Sequence, residues 1–143
     1  MIRVLLDTCV LSEAQRPQGN PQVRARVEEI EPLHLFASVI TIGELVKGVA
    51  RLPASSRKRT LASWVLGLEQ QFGEHILPID VEIARRWGQL SAQAQAQGFQ
   101  IHASDGLIAA TALRHGLHVM TRNTKHFAAT GAPIIDPWED TSP

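Results

Sequence analysis

The sequence predicts an α/β layer fold with a central, mostly parallel sheet flanked by helices. Three observations predict it. Short apolar runs of strand length alternate with longer segments whose apolar residues recur at helical spacing. The first run, Ile2–Leu6, is apolar at nearly every position, the pattern of a strand covered on both faces. Polar or acidic residues follow several of the runs directly.

In order along the chain, Ile2–Leu6 reads as a strand closed by Asp7, and Pro17-Gln18-Gly19-Asn20-Pro21 as a loop. Pro21 suits the first position of a helix running through Ile30. Leu33–Val39 reads as a second strand and Thr41–Val49 as a helix that Pro53 keeps from continuing. Ser55 or Ser56 caps a longer helix with apolar residues at Leu61, Val65, Leu68 and Phe72. Ile76–Ile79 is a strand, and Asp80 caps a helix reaching Gln97, with Gly98 as its stop. The Ala/Gln run 92–97 reads as helix surface. Ser104–His115 is a further helix, stopped by Gly116; Leu117–Met120 and Pro133–Ile135 are the last strands.

The 143 residues suit one domain spanning 1–143, and no repeat, long linker or low-complexity block divides them. Lys plus Arg equals Asp plus Glu, for a formal net charge of zero. That balance argues, though only weakly, against a protein that coats nucleic acid, and says little about an enzyme that meets phosphates through metal ions. Cys9 is the only cysteine, so no internal disulfide forms. Arg3, Asp7, Glu13 and Arg16 interrupt any apolar leader in residues 1–20, and no stretch is long enough to span a bilayer. The expected location is the cytosol.

In a parallel sheet, ligands sit beyond the carboxyl ends of the strands. Asp7 ends the first strand, Glu44 lies shortly after the second, Asp105 opens the helix ending near Gly116, and Thr121-Arg122-Asn123 follows Leu117–Met120. Three carboxylates gathered without basic partners repel one another and raise each other's pKa. A hard divalent cation offsets that cost. Magnesium takes a few carboxylates plus substrate phosphates, lowers the pKa of water and neutralises charge on a phosphoryl oxygen. Such chemistry suits phosphodiester hydrolysis. Each residue also has an ordinary structural reading. Asp7 serves as a cap or turn starter. Glu44 closes a T-x-x-E capping box on the Thr41 backbone N–H. Asp105 offsets a helix dipole, and Asn123 is a common loop residue.

The words around these residues resemble a known family. Leu6–Glu13, LDTCVLSE, is similar to the opening LDTNVLSE segment of PIN-domain proteins of the FitB and VapC toxin type. Ser38–Gly48 resembles the segment carrying their second acid, Asp105–Leu113 their third-acid helix, 121–127 (TRNTKHF) their TRNxxDF segment, and 135–138 (IDPW) their closing NPW. The matches run in family order from the first strand to the tail. The resemblance implies a Rossmann-like PIN fold and a Mg²⁺-dependent endoribonuclease, with Mn²⁺ as a possible substitute. It implies Asp7, Glu44 and Asp105 as the metal ligands, Thr8 and Thr121 as supports, and Asn123 where many relatives carry a fourth Asp. The amide keeps one oxygen ligand but loses a charge, which points to one well-held ion. Cys9 stands where Asn is usual and reads as packed rather than nucleophilic. His126 replaces a common Asp and reads as a surface residue.

By the same resemblance, attack by activated water would leave a 5′-phosphate and a 3′-hydroxyl on the RNA. Lys47, Arg51 and Arg122 are candidate phosphate contacts, against the alternative of a solvated face with local ion pairs. The expected partners are RNA, a VapB-like cognate antitoxin and a second copy of the chain; no membrane is expected. Val46, Val49, Leu52, Trp64 and Leu68 would line a groove for a partner helix, unless they fill this domain's own core. Two rival functions stay open. A phosphatase would use Asp7 as covalent nucleophile, although Cys9 stands where the haloacid dehalogenase-like pattern wants a second Asp. A non-catalytic PIN-like module would bind RNA or protein without cutting.

Overall fold

A computed structural model describes residues 2–139. Five strands, all parallel, form one sheet in the order β3-β2-β1-β4-β5. They are β1 (Val4–Leu6), β2 (Leu35–Ser38), β3 (Ile76–Leu77), β4 (His118–Met120) and β5 (Ile134–Ile135). The central β1 pairs Val4 with Leu35 on one side and with His118 on the other. Connections build outward from β1 to β2 and β3, then return to its other side for β4 and β5. The direction therefore reverses at β1, and the crevice beyond its carboxyl end is where such a sheet binds ligands.

Among the described residues seven α-helices lie between successive strands: α1 (Thr8–Gln15), α2 (Pro21–Glu28), α3 (Val39–Ala50), α4 (Ser56–Phe72), α5 (Val81–Ala96), α6 (Ala103–His115) and α7 (Thr124–Phe127). Their starts follow from local chemistry. Asn20, Ser55 and Asp80 each accept a backbone N–H of the following first turn, and Pro21 occupies the first turn of α2. Gly116 ends α6 at φ +67°, a conformation that strains any other residue.

Successive residues of β1 face opposite sides of the sheet. Val4 and Leu6 join Val10, Val23, Leu45, Val65 and Met120 in one core cluster. Leu5 joins Ile108, Ala109, Leu117, Val119 and Phe127 in the other. Leu5 is 0% exposed, and a side chain of that kind contributes about 1.5–3 kcal/mol through burial. A third, smaller cluster of Ile83, Leu90 and Ala110 joins α5 to α6. Gly106 permits this approach, since a Cβ there would stand 2.8 Å from the Trp87 ring.

The predicted α/β class and parallel sheet are borne out, with strands shorter than expected. Two helices were not expected. In α1, the apolar Cys9, Val10 and Leu11 occur as one run that carries no clear helical period, yet Val10 and Leu11 pack under β1. The other, α7, is a single turn. The start of α3 also differs from expectation. Ser38, not Thr41, caps it, accepting the Ile40 N–H at 3.0 Å. Thr41 thus falls inside the helix, fully buried, with its hydroxyl unpartnered, and the capping box with Glu44 does not form.

The apolar groove expected from five residues is mostly core. Leu68 is buried, Val49 and Trp64 pack against the β1 cluster, Leu52 is half-buried, and Val46 alone is exposed, at 50%.

Candidate active site

The site grows from the carboxyl end of β1. The Asp7 backbone N–H donates to the Met120 carbonyl at 3.0 Å, so the ladder with β4 holds this residue to its last atom. Its backbone is extended while the next residue is helical, and its Oδ1 accepts the Thr8 N–H at 2.9 Å as the cap of α1. Oδ2 accepts the Thr121 hydroxyl at 2.8 Å and faces the Cys9 sulfur at 3.7 Å. Thr121, directly after β4, in turn accepts the Asn123 backbone N–H at 2.9 Å. Asp7 is 4% exposed and Thr121 0%. Two strand ends and one helix start are thereby tied through a single carboxylate.

Glu44, in the second turn of α3, accepts the Thr8 hydroxyl at 2.7 Å. The same residue that presents its N–H to Asp7 thus positions a second carboxylate from another element. Asp105 lies in the first turn of α6, where the helix dipole favours its charge. Its Oδ2 lies 3.4 Å from His126 Nδ1, and the His126 ring packs edge-on toward His102 with centroids 6.1 Å apart.

The electrostatics reflect this crowding. Burial pushes the Asp7 carboxyl above its ordinary range; hydrogen bonds from Thr121 and Thr8 pull it back, and the charges of Asp105 and Glu44 add to the rise. Burial likewise raises Asp105, with His126 opposing and Glu44 reinforcing. The Cys9 thiol is raised, first by burial, and so stays protonated at neutral pH, which agrees with its reading as a packed residue rather than a nucleophile. Among the described residues, the ion pairs give neither Asp7 nor Glu44 a basic partner.

A divalent cation is the charge such a donor set calls for. No three His, Cys, Asp or Glu side chains among the described residues close into a metal cage. Magnesium does not need one, because it keeps several waters and takes one or two carboxylates. Asp7 and Asp105, with Glu44 beside them, are all oxygen donors whose charges oppose each other. Their chemistry fits a hard cation.

Of the other predicted residues, Asn123 enters through its backbone, and its side chain is exposed. Lys47 is exposed on α3 and Arg51 just after its end, and Arg122 lies over the Trp138 ring at 5.1 Å. His126 is exposed as expected, but its contact with Asp105 was missed. The missed pair, His102 and His126, had a faint signal: His102 precedes Asp105 by three residues, one helical turn.

Comparison with known proteins agrees with the fold. The PIN domain family matches residues 4–132. Toxin FitB from Neisseria gonorrhoeae is 40% identical over 96% of this chain and 99% of its own length. The VapC ribonuclease Y4jK from Sinorhizobium fredii is 37% identical over 95% of this chain and 98% of its own. Among solved structures, FitAcB from Neisseria gonorrhoeae superposes with a TM-score of 0.90 at 38% identity, covering 95% of this chain and 99% of that one. A toxin–antitoxin complex from Klebsiella pneumoniae gives 0.72 at 28% identity, covering 95% and 98%. Family match, length and fold thus agree, and the chain belongs to the PIN-domain family.

Proposed function

We propose that this chain is a Mg²⁺-dependent endoribonuclease, the toxin of a toxin–antitoxin module, hydrolysing RNA phosphodiesters. One observation carries the proposal: Asp7 is buried at the sheet's switch point, set against the charges of two further acids, with no basic partner. A protein that gained nothing from a cation there would be better served by an uncharged residue. Relatives named as a toxin and as a ribonuclease support the same reading.

Bound at these carboxylates, the ion would supply Lewis acidity toward water and a phosphoryl oxygen. The chain's own residues do the rest. Thr8 and Thr121 fix the Asp7 carboxylate by two hydrogen bonds, so it binds without reorganising. The Thr8 hydroxyl holds Glu44 in register with it. One of these carboxylates serves as acceptor for the proton of the attacking water. In a pair with an antitoxin, the exposed Val46 of α3 and Leu66 of α4 offer apolar surface to the partner.

Purified, antitoxin-free protein incubated with total RNA tests this. Discrete cuts that need Mg²⁺, stop with EDTA and fall about a thousandfold in Asp7→Asn and Asp105→Asn are expected. Well-folded protein that leaves RNA intact with Mg²⁺ or Mn²⁺ would move the assignment to a non-catalytic binding module.

A further inference from the structure

Beside the carboxylates lies a cavity of about 270 Å³ that shares Asp105 as part of its wall. Its other lining includes Phe99, Gln100, His102, Lys125 and His126. Phe99 is 56% exposed in the turn between α5 and α6, a large aromatic face left in solvent. Its place is held by its backbone, whose N–H donates to the Ala94 carbonyl at 2.8 Å. Lys125 is exposed, and among the described residues it enters no ion pair. His126 lies against Asp105, with the His102 ring packed edge-on beside it.

An aromatic face, an amide with donors and acceptors, and a free cation form the set that takes a single-stranded nucleotide. Bases stack on aromatic side chains, amides meet their edges, and a lysine meets the phosphate. Ordinary core packing does not account for the set, since Phe99, Gln100, His102, Lys125 and His126 are all exposed. We propose that this cavity is a nucleotide subsite next to the scissile phosphate. Phe99 stacks the base of an unpaired RNA residue and Lys125 holds its phosphate, so the pocket selects which phosphodiester reaches Asp105. The inference rests on the ribonuclease reading and adds to it how the strand is gripped.

The test uses a fluorescein-labelled, unstructured single-stranded RNA oligonucleotide with the full chain. Binding is measured in the Asp7→Asn background, and cut positions in the otherwise native chain. Phe99→Ala is expected to weaken binding about tenfold, with Phe99→Trp restoring it and Phe99→Leu not. Lys125→Ala is expected to lower the slope of log affinity against log salt by about 0.7, the signature of one lost phosphate contact on a single strand. Phe99→Ala should also redistribute cut positions at unchanged folding. If the parent cuts RNA while these variants bind and cut like it, the subsite is overturned and the nuclease stands. If the parent binds RNA through Phe99 and Lys125 without cutting, the nucleotide-binding cavity stands, while the nuclease reading and the cavity's part in selecting the cut are overturned. No RNA binding by any form overturns the subsite.

Discussion

At the amino end of β1, Arg3 reaches back to the His115 carbonyl and lies 5.7 Å over the Phe36 ring. At the carboxyl end of the same strand, Asp7 is buried against two like charges. The strand between them, Val4-Leu5-Leu6, is uniformly core. One end therefore carries a charge that is exposed and given an acceptor and an aromatic face. The other carries a charge held by neutral donors only, with its electrostatic demand unmet. The contrast separates a charge that finishes a fold from one that the fold keeps at a cost.

The largest effect should come at the Asp7 end. An acid whose folded pKa is raised binds more protons folded than unfolded, so its contribution becomes unfavourable as pH climbs from the ordinary carboxylate range through the raised value. In Mg²⁺-free buffer, Asp7→Asn should therefore melt at a higher temperature than the parent at neutral pH, the gap closing in acid. Added Mg²⁺ should raise the melting temperature of the parent and not of the variant. A variant less stable than the parent at neutral pH would contradict the comparison.

Thr121→Val sharpens it. The substitution removes the donor to Asp7 Oδ2 and the acceptor of the Asn123 N–H. Denaturant titration should show a loss of about 1–3 kcal/mol, smaller in acid, where Asp7 is protonated. At the other end, Arg3→Met keeps most of the side chain's packing and loses an exposed charge. Its cost should stay under about 1 kcal/mol, with RNA cleavage by the folded fraction unchanged; a matching loss of cleavage would erase the distinction between the two ends.

The place of Asp7 was legible because a parallel strand delivers the residue after it to the carboxyl edge of the sheet, and strand ends can be read from apolar runs; Glu44 and Asp105 stand on helices, in the second turn of α3 and the first of α6, and it was the resemblance of the segments around them that pointed to them. The partners of these acids were less legible. Glu44 had, beside its reading as a metal ligand, that of closing a capping box on Thr41 three residues before it, whereas Ser38 starts the helix a turn earlier and frees Glu44 for Thr8. The helix Thr8–Gln15 carries too few residues to show a period, and its stability comes from packing under β1. Likewise, Leu68 and Trp64 allowed both a groove and a core reading, until α3 and α4 packed them against the β1 cluster.

Local chemistry by itself determined the α/β class, the caps at Asn20, Ser55 and Asp80, the stop at Gly116 and the positions where acids follow strands. Those depend on neighbours a few residues apart, whose spacing the chain carries in its order. Only the tertiary structure decided that Thr8 would serve Asp7 and Glu44 together, that Thr121 would hold Asp7 from 114 residues away, and that His126 would close on Asp105. Such contacts arise when β4 is laid beside β1 and α6 over the sheet, and a hydrogen bond over that separation leaves no periodic trace in the sequence.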